Sequence, residues 1–136
     1  MKFLGASTLL AFAIPLMAQD WRQFRGPDGL GISSAKHLPA EWSDNKNLLW
    51  KTKLPGRGAS SPILVGDKIY VSCWSGAVTK KVTTGLTRHL VCLDHSGKLL
   101  WQKDYAAPAK EFPLKGFTAL HGYASSTPVS DGKRLF

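Results

Sequence analysis

A chain of 136 residues, 43% hydrophobic and 10% aromatic, holds apolar side chains for one ordinary domain at most. Its 18 Lys and Arg against 9 Asp and Glu leave a formal charge of +9. The basic residues are spread along the chain, Lys80-Lys81 is the densest local pair, and no run of five like charges occurs, so no nucleic-acid partner is expected.

The first residues read as an export signal. Lys2 supplies a positive start, Phe3 to Ile14 is apolar, and Ala18 precedes the polar Gln19-Asp20. The apolar run is too short to cross a bilayer, and Pro15 stands at its end. A signal peptide over 1–18, cut after Ala18, predicts a periplasmic or secreted protein with no transmembrane segment after its removal. No cysteine near the cut could carry a lipid.

Residues 19–47 form a leader. Gly26-Pro27-Asp28-Gly29-Leu30-Gly31 and Leu38-Pro39 oppose helix and central strand. Trp21, Phe24 and Trp42 sit in this loop-like stretch. Aromatic side chains gain much from burial, so the leader is expected to pack on its own domain rather than to reach out as a partner-binding arm.

From Leu48 onward short strands alternate with turns. Leu48 to Leu54 partly alternates, and Ser61-Pro62-Ile63-Leu64-Val65 is a short strand with Pro near its start. Gly66-Asp67 reads as a turn. Lys68 to Trp74, β-branched and aromatic, is the clearest strand. A polar loop is expected over Ser75 to Thr87, then a strand from Arg88 to Leu93, a turn at Asp94-His95-Ser96-Gly97, and a strand from Lys98 to Lys103. No window outside the signal holds an amphipathic helix of more than three turns.

Two signals recur. Leu48-Leu49-Trp50 returns 51 residues later as Leu99-Leu100-Trp101, and the Ser-Pro strand at Pro62 returns 66 residues later at Pro128. The 15-residue difference marks an insertion over the loop from Asp104 to Tyr123. Such spacings, with four strands each, fit β-propeller blades, whose sheets need neighbours to cover both faces. The expected fold class is therefore all-β, a propeller of four-stranded antiparallel blades. About one and a half blades are present in 48–136, a partial repeat domain ending at Phe136, and missing C-terminal blades would be needed for folding.

The residues that could carry chemistry are few. His121-Gly122-Tyr123, in the insertion, is the most site-like group, but with no second ligand or acid/base partner identifiable the favoured reading is that His121 and Tyr123 pack and hydrogen-bond to hold the loop across the blade edge. Asp94 reads as a turn residue whose carboxylate caps local N–H groups. Ser60, Ser61, Ser125 and Ser126 lack the Gly-x-Ser-x-Gly elbow of a nucleophile. Gly56-Arg57-Gly58 is too short for a phosphate loop, and Gly29-Leu30-Gly31 lacks the following strand and helix. His89 and His95 read as strand or surface residues. Pairing Val71 with Cys92 would place Cys73 diagonal to Cys92, about 7–8 Å away. A disulfide needs Cβ atoms about 3.5–4.5 Å apart, so two buried thiols are expected in preference to a bridge. No catalytic, cofactor-binding or metal-ligating residue is assigned.

Cys92-Leu93-Asp94-His95-Ser96-Gly97-Lys98-Leu99-Leu100-Trp101 resembles the repeat signature of the bacterial PQQ-like β-propeller proteins, Ala-Leu-Asp-x-x-Thr-Gly-x-x-x-Trp. Leu93, Asp94, Gly97 and Trp101 match, Ser96 replaces Thr, and Cys92 stands for Ala. The opening Asp20-Trp21-Arg22-Gln23-Phe24-Arg25-Gly26-Pro27, with Leu38-Pro39 and Glu41-Trp42, is similar to the leader of a secreted subgroup, as is His121 to Val129. The resemblance implies that Trp101, Gly97 and Trp50 dock neighbouring blades. With no catalytic constellation in the sequence and an insertion loop present, an exported, non-catalytic binding or assembly scaffold with a protein or carbohydrate partner is expected. Its alternative is a pyrroloquinoline quinone-dependent dehydrogenase, with quinone and calcium held by blades beyond this stretch. The dehydrogenases' adjacent cysteine pair does not occur here.

Overall fold

The computed structural model describes residues 19–78, 83–107 and 111–136; the expected signal, residues 1–18, lies outside them. The named elements are β1 (Ile63–Val65), β2 (Lys68–Val78), β3 (Thr83–Asp94), β4 (Leu99–Ala106) and the short helix α1 (Phe117–His121). The four strands form one antiparallel sheet in the order β1-β2-β3-β4. Among the described residues the chain is all-β, with almost no helix.

Each hairpin follows from local chemistry. Gly66, at φ 60°, opens the two-residue turn between paired Val65 and Lys68, a position that rejects most side chains. The Asp94 carboxylate accepts from the Ser96 amide at 2.9 Å, the Ser96 hydroxyl at 2.6 Å and the Lys98 amide at 3.0 Å. Those bonds make the turn between β3 and β4, as the sequence predicts.

Two expected boundaries change. The polar loop over Ser75 to Thr87 is largely strand, because β2 and β3 run on to Val78 and Thr83. A bulge lets the ladder continue: Ser75 pairs with Thr87 and Ala77 with Thr84, setting Gly76 against Gly85 and Leu86. A Cβ on Gly76 would meet the Gly85 carbonyl oxygen at 2.8 Å, so the bulge needs glycine there. Conversely, Leu48 to Leu54 is not a strand, and Leu49 is 95% exposed. This segment bonds a turn instead of a ladder. The Trp50 indole donates to the His95 carbonyl at 2.8 Å, and the Thr52 hydroxyl to the Gly97 carbonyl at 2.5 Å.

The register corrects the cysteine geometry. Val71 pairs with Val91, Tyr70 with Cys92 and Cys73 with His89. This is one residue from the expected pairing, and a one-residue slip turns every side chain to the other face. Cys73 and Cys92 therefore lie on opposite faces, both buried and both free thiols.

Both faces carry core. On one, Cys73, Val91 and Leu93 pack with Leu54, Ile69 and Val71. On the other, Trp74 and Leu86 pack with Ala124, Ala107, Leu114 and Tyr123, so the insertion after β4 covers that face. Trp101 stays within its own sheet, half-buried, its ring 5.8 Å from that of Tyr70.

The leader packs only in part. Trp21 pairs with Leu64 through both backbone bonds, at 2.8 and 3.0 Å, closing the edge of β1. The next carbonyl, on Arg22, accepts from Ser130 at 2.9 Å. Phe24 and Trp42 are 61% and 71% exposed, so of the three leader aromatics only Trp21 meets the packing expectation. The second Ser-Pro segment folds back on itself, with Val129 and Phe136 exchanging both backbone bonds. It lies beside the first, where the Ser61 amide donates to Thr127 Oγ1 at 3.1 Å.

Candidate functional site

The leader, the entry to β1 and the end of the insertion converge on one open cleft of about 450 Å3, lined by Phe24, Ala59, His121, Ser125, Ser126 and Thr127. The chain reaches this geometry through Gly122 and Tyr123. A Cβ on Gly122 would meet Trp74 Nε1 at 2.8 Å, and its φ is 68°. The Tyr123 ring stands edge-on to Trp74, 4.9 Å between centroids, and its hydroxyl donates to the Phe112 carbonyl. Arg88 Nε donates to the Tyr123 carbonyl at 3.0 Å, and Arg88 pairs with Glu111 at 2.7 Å. Gly122 and Tyr123 thus clamp the insertion to the sheet, while His121 is exposed at the cleft.

The four candidate serines divide. Ser125 and Ser126 line the cleft. Ser60 and Ser61 are not among its lining residues: the Ser60 hydroxyl donates to the Ser61 carbonyl at 3.2 Å, and the Ser61 amide to Thr127. The Ser126 carbonyl accepts from Ser72 Oγ at 2.9 Å, fixing the loop to β2. The cleft therefore offers hydroxyls and an imidazole beside an exposed phenyl ring.

The other sequence candidates have structural roles. Arg57 exchanges backbone bonds with Trp74 at 2.9 and 2.8 Å, and its guanidinium lies 4.3 Å from the Trp74 ring. Cβ atoms on Gly56 and Gly58 would strike the carbonyl oxygens of Trp74 and Ala124 at 2.0 and 2.8 Å. Those glycines permit close backbone approach and cradle no phosphate. Gly29 and Gly31 are loop residues at φ 67° and 73°. Gly97, at φ 81°, lies against Trp50, where a Cβ would be 2.4 Å from the ring.

A second constellation is invisible in the linear sequence. Ser75 on β2, His89 on β3 and Asp104 on β4 share one face of the sheet. Ser75 Oγ lies 2.8 Å from His89 Nε2, and His89 Nδ1 lies 2.8 Å from Asp104 Oδ1. His89, expected to be a plain strand or surface residue, is only 6% exposed. The His89 and Gln102 side chains, hydrogen-bonded to Asp104, hold its carboxyl below the ordinary carboxylate value. The three residues lie 14 and 15 positions apart. Only the observed register, which sets His89 opposite Asp104 and diagonal to Ser75, gathers them.

Burial pushes both thiols, Cys73 and Cys92, above their ordinary pKa. Among the described residues no three His, Cys, Asp or Glu side chains converge to hold a metal ion. Comparisons with protein-family models, curated proteins and solved structures return no match.

Proposed function

We propose that this chain builds one blade and the entry to the next of an exported, PQQ-like β-propeller scaffold, and that it holds a carbohydrate partner at the cleft between leader, β1 entry and insertion. The observation that carries this reading is the cleft itself. An exposed aromatic ring beside several hydroxyls and an imidazole suits a sugar, which offers apolar C–H faces and many hydroxyl groups. The blade part rests on a four-stranded antiparallel sheet with core on both faces and a repeated Ser-Pro segment alongside it. Export rests on the pattern of residues 1–18.

Calorimetric titration of the purified chain with a panel of neutral and acidic oligosaccharides tests the binding reading. Saturable binding that weakens at least tenfold in Phe24→Ala and in the double variant Ser125→Ala/Ser126→Ala supports it. Heats at the blank level across the panel, or binding untouched by these substitutions, overturn it; recovery of a protein partner alone would replace the carbohydrate.

A further inference from the structure

We infer that Ser75, His89 and Asp104 form an activated-serine site that accepts small, activated acyl esters. These three residues lie outside the lining of the cleft. Ser75 Oγ and His89 Nε2 are 2.8 Å apart, and His89 Nδ1 and Asp104 Oδ1 are 2.8 Å apart. A carboxylate can only accept, so Nδ1 carries the proton toward Asp104; in the neutral imidazole that leaves Nε2 to accept from the Ser75 hydroxyl. That tautomer is the one general-base activation of a serine requires. Gln102 donates to the same Asp104 oxygen at 2.7 Å and helps to hold the carboxylate in place.

The three residues come from three adjacent strands, so their spacing is set by the ladder and not by a loop. His89 is screened from water, whereas Ser75 is half-buried and Asp104 exposed, so the relay opens at the sheet surface. The bulge at Gly76, directly after Ser75, turns the strand at this point. A half-buried Ser75 limits the acyl group to a small one, and a good leaving group asks least of the proton returned by His89.

In the reaction, Ser75 Oγ attacks the ester carbonyl carbon while His89 Nε2 takes the hydroxyl proton. The carbon–oxygen bond to the leaving group breaks, and His89 returns the proton to the departing alkoxide. Water then attacks the acyl-serine, giving its proton to His89. The carboxylic acid leaves, and Ser75 regains its proton from the imidazole. Asp104 remains ionised throughout and holds the ring.

The test is covalent labelling of the full chain with a fluorophosphonate, with peptide mass mapping, beside release of nitrophenol from p-nitrophenyl acetate. The expected result is an adduct on Ser75, absent in Ser75→Ala and formed at least tenfold more slowly in His89→Gln. A natively folded wild-type chain with no adduct on Ser75 overturns the assignment, as does ester turnover unchanged in Ser75→Ala. A purely structural hydrogen-bond network would change the urea midpoint on substitution yet give no adduct, so the two roles separate even if a variant folds poorly.

Discussion

Gly97 and Trp50 illustrate how much of this chain rests on single contacts. With the ring this close, Gly97→Ala forces either the turn or the indole to move, at a cost of about 1–3 kcal/mol, read from the urea midpoint. The same change made in a Trp50→Ala background is expected to cost less, because the obstructing ring is gone; equal costs would show that the Thr52 hydroxyl, 2.7 Å from the new Cβ, and backbone strain are responsible instead. Trp74 is 2% exposed and packs with Leu86 and Ala124, so Trp74→Ala is expected to cost about 3–5 kcal/mol. Trp101→Ala is expected to cost clearly less, because Trp101 is only half-buried and makes its ring contact with Tyr70 of its own sheet. Among the acids, Asp94 and Asp131 sit below the ordinary carboxylate value through hydrogen bonds within their turns, led by the Ser96 side chain and the Arg134 amide respectively. Asp20 is lowered chiefly by the Gly66 amide. The unfolded chain therefore takes up these protons at higher pH than the folded chain does. Stability from these groups is fully present above the ordinary carboxylate range, near about 4, and is lost as pH falls through the lower folded values. An acid titration followed by tryptophan fluorescence should show this loss, and Asp94→Asn should flatten it.

Strand identity was mostly legible, because it depends on neighbours along the chain. Lys68 to Trp74 alternates β-branched and aromatic residues, and the turns at Gly66 and Asp94 carry their own signals: a glycine that tolerates positive φ and a carboxylate that captures nearby amides. Strand length was less legible. The stretch from Ser75 to Thr87 looks polar, yet ladder bonds and a glycine-enabled bulge carry both strands through it. Register was not legible, since pairing Val71 with Cys92 or with Val91 satisfies the local pattern almost equally well. The observed choice keeps the thiols on opposite faces. Thiol titration is expected to find two reactive sulfhydryls after denaturation and slow reaction before it, because both are buried and their pKa values raised. An intramolecular disulfide in the folded chain would contradict the register.

At the scale of the whole molecule, the leader acts as a strap across two equivalent hairpins. Trp21 closes the edge of β1, Asp20 accepts from the Gly66 amide at 2.7 Å, and the Arg22 carbonyl accepts from Ser130 in the second hairpin. A Cβ on Gly132 would meet the Arg22 guanidinium at 2.8 Å, so the strap lies tightly against that turn. Deleting residues 19–22 is expected to free the β1 edge and loosen the second hairpin. Limited proteolysis should then cut between Tyr123 and Phe136 faster than in the intact chain, and an unchanged rate would show that the strap carries little load. The strap was hinted at by Trp21 in a loop-like segment, but its partners were not, because Leu64 and Ser130 are distant in sequence. The same division runs through the candidate sites. The sequence by itself determined the all-β class, the turn positions and the repeated Ser-Pro segment, all encoded by side chains within a few residues of one another. Only the tertiary structure decided that His121, Ser125 and Phe24 share a cleft and that Ser75, His89 and Asp104 meet. The cleft depends on how the leader and the insertion return to the sheet. The Ser75, His89 and Asp104 meeting depends on which residues lie opposite across a ladder, where a shift of one position would have sent each side chain to the other face.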